Sequence, residues 1–203
     1  MRLFYTPGTS SLFPHIVLNE SGLLFEKTKV DEHTKLMDNG GDYRTVNPLG
    51  FVPALQLDDG TVLTEGVSIV QYIADQVPAK QLAPQNLTLA RTRLQSWLNF
   101  IASEVQMGCF CPLFHSTTSE PAKTMYRERL ASRLGHVDRH LAQNQYMLGE
   151  HFSLADAYLF VVLSWSRLAK VDLSPYPHVL GLRKRVGARP AVQAALRAEG
   201  LTS

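Results

Sequence analysis

Short apolar runs separated by turn residues mark the N-terminal part of the chain, and this pattern predicts a small β-sheet. Leu3-Phe4-Tyr5 predicts a buried strand that stops at Pro7-Gly8. Residues 25–31 predict a second strand. Residues 54–63 form two apolar runs around Asp58-Asp59-Gly60, a turn sequence that predicts a hairpin between two further strands.

Two helices are predicted among these strands. The first follows Thr9-Ser10-Ser11, three residues that favour an N-cap, and it runs to about Ser21 before the terminating Gly22. The second begins near Glu65 and carries apolar residues at helical spacing as far as Val77. The order β-α-β followed by β-β-α is that of a mixed α/β domain.

The pattern changes after this second helix. Residues 79–87 contain proline and are only weakly periodic, which is typical of a linker between domains. Beyond them the strand pattern disappears, and apolar residues recur at helical spacing. Helices are predicted over 94–105, 121–143, 154–168, 177–187 and 190–199. The expected organisation is an α/β domain at 1–78, a linker at 79–87 and an all-α domain at 88–203.

Composition and charge exclude several classes of protein. The 203 residues include 20 basic and 18 acidic ones, and the net charge of +2 gives no electrostatic basis for nucleic acid or a membrane as the main partner. Cys109 and Cys111 have neither the spacing of a zinc site nor that of a redox C-x-x-C pair, so no metal is expected. A signal peptide and a bilayer-spanning apolar run are both missing. We therefore expect a soluble protein of the cytoplasm.

Five motifs, in order and at consistent spacing, give the chain its resemblance to a known family. They occupy residues 3–8 (LFYTPG), 47–55 (NPLGFVPAL), 63–67 (LTEGV), 97–104 (WLNFIASE) and 152–157 (FSLADA). Together they resemble the glutathione transferases, and most closely the bacterial beta class, over essentially the whole chain. The resemblance implies a thioredoxin-like α/β N-terminal domain, an all-α C-terminal domain, glutathione as co-substrate and no other cofactor.

The resemblance also implies which residues bind glutathione. Val52-Pro53 carries a cis bond in the family, and the backbone before it pairs with the cysteinyl peptide. Glu65-Gly66, at a helix N-terminus, would bind the γ-glutamyl carboxylate through unpaired N–H groups, and the Glu65 carboxylate would bind the ammonium. Lys35 would bind the glycine carboxylate, and Phe51, where a glutamine is frequent, could contribute only its backbone. From the residues alone, an edge-strand proline, an ordinary helix N-terminus and a solvated lysine are alternatives.

A second set of residues implies a homodimer. Asn99, Ser103 and Glu104 match residues that, in the family, reach the glutathione bound to the partner subunit. Their spacing also fits the polar face of a helix, which is the alternative explanation. Asp156 belongs to a different feature, because with Ser153 it has the spacing of a capping box, whose role lies in folding and not in catalysis.

Two departures from the family pattern decide the mechanism. Ser10 stands where most beta-class members have a cysteine, and Gln106 stands where they commonly have a histidine. A serine cannot form a mixed disulfide with glutathione, so thiol–disulfide exchange is not expected. A hydroxyl group can still stabilise the thiolate of glutathione itself by a hydrogen bond. Ser10, Ser11 and Tyr5 are, in that order, the candidate donors.

The predicted activity is conjugation of the glutathione thiolate to small hydrophobic electrophiles, as in detoxification. The electrophile would lie against apolar residues of the helical half, for which the candidates are Phe110, Phe114, His115 and Trp165. Aromatic residues at helical spacing belong more often to a core, and His115 also fits an exposed or capping position. Since the family cysteine and histidine are both replaced, a glutathione- or hydrophobic-ligand-binding protein with little turnover is the alternative.

Overall fold

The structure is a computed structural model that describes residues 1–201 and divides into two units. Unit 1 comprises Met1–Leu82 together with the described residues from Arg189 onward, and unit 2 comprises Ala83–Ala188. Along the chain the elements are β1 (Arg2–Tyr5), α1 (Leu12–Ser21), β2 (Glu26–Lys29), β3 (Ala54–Gln56), β4 (Val62–Thr64), α2 (Gly66–Gln76), α3 (Leu89–Asn99), α4 (Cys111–Phe114), α5 (Glu120–Leu141), α6 (Leu154–Ser164), α7 (Pro177–Gly187) and α8 (Pro190–Ala198). Short 3₁₀ turns lie at Tyr43–Thr45 and Pro78–Lys80.

The sheet of unit 1 has the strand order β2-β1-β3-β4. Strand β1 pairs in parallel with β2 and antiparallel with β3, and β3 pairs antiparallel with β4. Strand β1 is central in this sheet, and its Leu3 and Phe4 are buried together with Leu55 of β3. The predicted mixed α/β arrangement, with a β3–β4 hairpin and helices α1 and α2, is confirmed.

Helix α8 belongs to the first unit, which differs from the predicted all-α domain at 88–203. It packs against α1. The Asn19 side chain donates to the Ala191 carbonyl at 3.1 Å, and Glu20 pairs with Arg189 at 2.6 Å. The periodicity of residues 190–199 correctly predicted a helix with an apolar face. Periodicity carries no information about which part of the chain that face covers, so the sequence alone did not indicate that α8 packs against α1.

The regular secondary-structure elements of unit 2 are all helices in the described part of the chain. Helix α6 is apolar on all sides and buried from Leu154 to Leu163. Its N-terminus carries the predicted capping box, because the Asp156 carboxylate accepts from both the N–H and the hydroxyl of Ser153. The all-α C-terminal architecture predicted from helical spacing is confirmed for this part of the chain.

The helix predicted over 94–105 is wider than an α-helix over much of its length. After α3, residues Phe100–Phe110 form a π-helical segment that leads into α4. Gly108 permits this geometry, because a Cβ atom on it would lie 2.6 Å from the Ser103 carbonyl oxygen. Extended π-helix is rare and frequently marks functional segments. Apolar spacing did not reveal it, since both kinds of helix bury one face.

Within residues 1–201, no helix combines the length and apolar character needed to cross a bilayer. In the same residues, no group of three or more His, Cys, Asp or Glu side chains is arranged to hold a metal ion.

Candidate active site

Ser10 lies in the turn that joins β1 to α1 in unit 1. Its half-buried hydroxyl donates to the Val52 carbonyl oxygen at 3.4 Å, which is long for an O–H···O hydrogen bond. The structure therefore places Ser10 beside the Val52–Pro53 segment. The length of this contact leaves the hydroxyl able to rotate towards a stronger acceptor.

Ser11 and Tyr5 are less well placed to donate a hydrogen bond to a ligand. The Ser11 side chain is buried, and its hydroxyl donates to the Thr6 carbonyl at 3.0 Å while it accepts from the Thr6 N–H at 3.1 Å. Burial raises the pKa of the Tyr5 phenol, and the negative charges of Glu199 and Asp38 raise it further. Tyr5 and Ser11 are both buried, whereas Ser10 is half-buried, so Ser10 is the most accessible of the three hydroxyl candidates.

The Val52–Pro53 peptide bond is cis. Hydrogen bonds from two side chains fix the carbonyl of the residue before Val52. The Phe51 carbonyl accepts from the Tyr43 hydroxyl at 2.9 Å and from the Asn47 side-chain amide at 2.8 Å. Burial raises the pKa of Tyr43 to about 12, so its hydroxyl stays protonated and remains a donor. The Phe51 residue itself is 69% exposed. Phe51 thus contributes to this segment through its backbone.

Glu65 and Gly66 form the start of α2. Glu65 has φ 63° and ψ 109°, a conformation that non-glycine residues rarely adopt and that occurs mostly at functional positions. A Cβ atom on Gly66 would lie 3.5 Å from Cγ of Pro53, so the helix N-terminus adjoins the cis-proline segment. The first N–H groups of a helix have no intrahelical acceptor, and they carry partial positive charge. This end of α2 can therefore bind an anion.

Lys35 lies close to Gly50, two residues before Val52. Its side chain is half-buried, and a Cβ atom on Gly50 would lie 3.5 Å from Lys35 Cε. Within residues 1–201, the Lys35 ammonium forms no ion pair with a protein carboxylate. One surface of unit 1 thus carries a cation, a hydroxyl donor, a cis-proline segment and a helix N-terminus.

The candidate residues of the π-helical region belong to unit 2. Asn99 and Ser103 are exposed, and the Ser103 hydroxyl donates to the Asn99 carbonyl at 2.8 Å. The Glu104 carboxylate accepts from Arg133 at 2.8 Å and from Arg129 at 3.2 Å. Hydrogen bonds from Arg133 and then Arg129 lower the pKa of the Glu104 carboxyl, so this group stays ionised.

Three of the four aromatic candidates of unit 2 come together. The ring centroids of Phe110 and Trp165 are 6.0 Å apart, and those of Phe114 and Trp165 are 6.2 Å apart. Phe110 is fully buried, whereas Phe114 is 46% exposed and offers an apolar surface. His115 is exposed at the end of α4 and takes no part in these ring contacts. Nearby on the same helices, the Tyr158 hydroxyl donates to Gln106 Oε1 at 2.6 Å.

Comparison with known proteins identifies the family of the chain. The family profile described as "Glutathione S-transferase, N-terminal domain" matches residues 11–76, and the profile "Glutathione S-transferase, C-terminal domain" matches residues 105–199. The chain belongs to the glutathione S-transferase family. The profiles cover both units, so the family assignment applies to the α/β part and to the helical part.

Individual glutathione transferases resemble the chain over almost its whole length. Glutathione S-transferase GstA of Escherichia coli O157:H7 is 48% identical over 202 residues, covering 99% of this chain and 100% of the relative. The solved ternary complex of BphK, a bacterial glutathione transferase, superposes with a TM-score of 0.97 at 55% identity and covers 99% and 100% of the two chains. A sphingomonad glutathione S-transferase complexed with glutathione gives a TM-score of 0.95 at 46% identity, with both chains covered completely.

Several residues that shape this candidate site were missed from the sequence. Tyr43 and Asn47 orient the Phe51 carbonyl, and the Tyr158 hydroxyl orients Gln106. The Asn47-Pro48 dipeptide is a turn signal that could have indicated a structural role for Asn47. The four-residue spacing of Arg129 and Arg133 on a predicted helix marks a basic face, although nothing in the spacing identifies Glu104 as its partner.

Proposed function

We propose that this glutathione transferase binds glutathione on the surface of unit 1 formed by Lys35, Ser10, Val52-Pro53 and Glu65-Gly66. The N-terminus of α2 receives the γ-glutamyl carboxylate, and the Glu65 carboxylate receives the ammonium. The backbone at Val52 pairs with the cysteinyl residue, and Lys35 receives the glycine carboxylate. The proximity of Ser10, Pro53 and Gly66 supports this assignment, as does the glutathione complex of the sphingomonad relative.

The Ser10 hydroxyl is the proposed donor to the glutathione sulfur. Lowering the thiol pKa by one unit needs about 1.4 kcal/mol of preferential thiolate stabilisation. A charge-assisted hydrogen bond contributes about 1.5–3 kcal/mol, so a single donor at Ser10 can lower the pKa by one to two units. The long Ser10–Val52 contact carries this proposal, because it leaves the half-buried Ser10 hydroxyl only weakly committed, whereas the Ser11 hydroxyl is committed to the Thr6 backbone and Tyr5 is buried.

The proposed reaction is conjugation. The thiolate sulfur forms a bond to an electrophilic carbon of a small hydrophobic compound, and the leaving group departs with its bonding electron pair. The exposed side of the Phe114–Trp165 aromatic cluster, with Phe110 behind it, supplies apolar surface for such a compound. We propose that this reaction serves detoxification in the cytoplasm.

A homodimer is part of the same proposal. Asn99 and Ser103 are exposed, and Glu104 keeps a negative charge that two arginines hold in place. In a dimer, these groups contact the glutathione that is bound to the other subunit. The ammonium group of that glutathione is a suitable partner for the Glu104 carboxylate. Equilibrium sedimentation of the purified protein with and without glutathione tests this assembly.

The test of the function begins with a calorimetric titration of the purified protein with reduced glutathione. We expect saturable binding at about one site per chain. Conjugation rates are then compared for the wild type, Ser10→Ala and the matched control Ser11→Ala, because the Ser11 hydroxyl is committed to the Thr6 backbone. Ser10→Ala is expected to lower kcat by about tenfold to a hundredfold with little change in KM for glutathione.

Other outcomes distinguish the remaining possibilities. Binding without turnover on any electrophile would favour a glutathione-binding protein. An equal kcat in Ser10→Ala and the wild type would exclude Ser10 as the donor. Ser10→Cys provides a further check: its thiolate should attack oxidised glutathione, form a mixed disulfide and release one reduced glutathione, whereas the wild type should gain no mass at this position.

A further inference from the structure

Two ionisable side chains are buried in unit 1, away from the surface assigned to glutathione. His15 of α1 and Glu199, directly after α8, have side chains that are 2% and 0% exposed. His15 Nδ1 and Glu199 Oε1 are 2.7 Å apart. Glutamate is rarely buried this completely unless it is paired, and removing one partner of such a pair is costly. The His15–Glu199 pair is therefore a structural part of unit 1.

The second carboxylate oxygen of Glu199 reaches a different part of the chain. The Gly8 N–H donates to Glu199 Oε2 at 3.0 Å. Gly8 has φ 75° and begins the turn Gly8–Ser11, which carries the Ser10 hydroxyl. One buried carboxylate thus connects three elements: the imidazole on α1, the end of α8 and the turn that presents Ser10.

The local packing shows how tightly this end of the turn is held. A Cβ atom on Gly8 would lie 3.4 Å from Leu201 Cδ2, so the segment after α8 lies against the backbone of the turn. The raised pKa of Tyr5, to which the Glu199 charge contributes, shows that the same carboxylate acts electrostatically at the end of β1. Ser10 follows Gly8 by two residues, so a rotation of the backbone at Gly8 would displace Ser10 relative to Val52.

We infer that Glu199 is a positioning residue: through the Gly8 amide it holds the turn that presents the Ser10 hydroxyl, and His15 fixes the orientation of the Glu199 carboxylate. The inference rests on the proposed role of unit 1 in binding glutathione. It assigns a function in catalysis to a residue that touches neither glutathione nor the electrophile, and that lies almost two hundred positions from Ser10 in the sequence.

If Glu199 had only a structural role, that role would be to dock α8 against α1. The chain offers a matched control for docking alone. Glu20 and Arg189 form a second ion pair between α1 and the start of α8, with an Arg189 Nε–Glu20 Oε1 distance of 2.6 Å and a second contact of 3.0 Å. Glu20 is near the C-terminal end of α1, away from the Gly8 turn. Arg189→Met should therefore weaken the docking of α8 without affecting the turn directly.

The experiment compares the full-length wild type with Glu199→Ala, Glu199→Gln and Arg189→Met. Three quantities are measured: the free energy of unfolding, hydrogen exchange of the Gly8 amide, and the apparent pKa of bound glutathione followed by thiolate absorbance. Conjugation kinetics complete the set. Glu199→Gln keeps an oxygen for the Gly8 N–H and an amide for His15 Nδ1, so it is the conservative variant.

We expect Glu199→Ala to speed exchange of the Gly8 amide, to raise the apparent thiol pKa by about one unit and to lower kcat about tenfold, with KM for glutathione nearly unchanged. Glu199→Gln should restore most of each quantity. Arg189→Met should lose stability while its thiol pKa and kcat stay at the wild-type values. Glu199→Asp, which is one methylene too short to reach both partners, replaces Glu199→Ala if that variant does not fold.

The inference is overturned if Glu199→Ala and Arg189→Met lower kcat to the same extent, or if the thiol pKa is unchanged in every Glu199 variant. The proposed function fails separately, since a wild type that neither binds glutathione nor ionises its thiol would refute it without any variant. Exchange of the Gly8 amide needs no glutathione. Wild-type exchange rates in Glu199→Ala would therefore overturn the positioning role even in that case.

Discussion

Replacing Asp156 by alanine tests whether the capping box of α6 stabilises the helical unit. The Asp156 carboxylate accepts from the Met147 N–H at 2.7 Å, the Ser153 N–H at 2.8 Å and the Ser153 hydroxyl at 2.7 Å, and all of these groups are buried. The substitution leaves three donors without their acceptor. Each buried unsatisfied donor costs about 1–3 kcal/mol, although the serine hydroxyl can rotate to a new acceptor.

A second effect reduces this cost. Burial raises the pKa of Asp156 to about 6, which shows that keeping the ionised carboxylate inside the protein is itself unfavourable. Alanine removes that penalty together with the hydrogen bonds. We therefore expect a net loss of about 2–4 kcal/mol in the free energy of unfolding at neutral pH.

Asp172 provides the matched control. Its carboxylate makes a similar local pair of hydrogen bonds, from the Ser174 N–H at 2.8 Å and the Ser174 hydroxyl at 2.7 Å, but Asp172 is exposed. Water can replace the carboxylate there, so Asp172→Ala should cost less than about 1 kcal/mol.

Urea unfolding followed by tryptophan fluorescence measures both variants, since the two tryptophans, Trp97 and Trp165, lie in unit 2. If Asp156→Ala costs no more than Asp172→Ala, the argument that the buried box satisfies otherwise unpaired donors is refuted.

Two further predictions concern the same unit. Because burial raises the pKa of Asp156 from 3.8 to about 6 in the folded state, ionising this carboxyl costs stability: the pH-dependent part of its contribution is fully present below about pH 4 and is lost as the pH rises through about 6, while the hydrogen bonds that the carboxylate accepts remain at neutral pH. The free energy of unfolding of the wild type minus that of Asp156→Asn should fall across this window, and a flat difference would contradict the raised pKa. Gly108→Ala places a Cβ atom 2.6 Å from the Ser103 carbonyl and should destabilise the protein by about 1–3 kcal/mol in urea unfolding. Gly135→Ala in α5 meets only the Arg139 side chain at 3.6 Å and should stabilise it by up to about 1 kcal/mol, so equal effects of the two changes would disprove the steric account.

Local features of the fold could be predicted from the sequence because they depend on neighbouring residues. The hairpin around Asp58-Asp59-Gly60 and the capping box of Ser153 and Asp156 are both set by short-range hydrogen bonds and by turn chemistry. The change from strand to helix periodicity after Val77 correctly indicated an α/β part followed by a helical part. The family motifs then pointed to two pairs of neighbouring residues, Val52-Pro53 and Glu65-Gly66. Each pair has an unusual backbone geometry of its own: a cis peptide bond in the first, and a positive φ at Glu65 in the second.

The tertiary structure decided what depends on contacts between distant positions. Ser10 and Ser11 are equivalent as sequence, yet only the contacts with Thr6 and Val52 show that the Ser11 hydroxyl is already committed. Gly8 and Glu199 are 191 residues apart and meet only because α8 packs on α1. An apolar helix face indicates that something covers it, but the identity of the cover is a property of the folded chain. The sequence by itself therefore determined most of the elements and the family, and the packing determined which side chains act together.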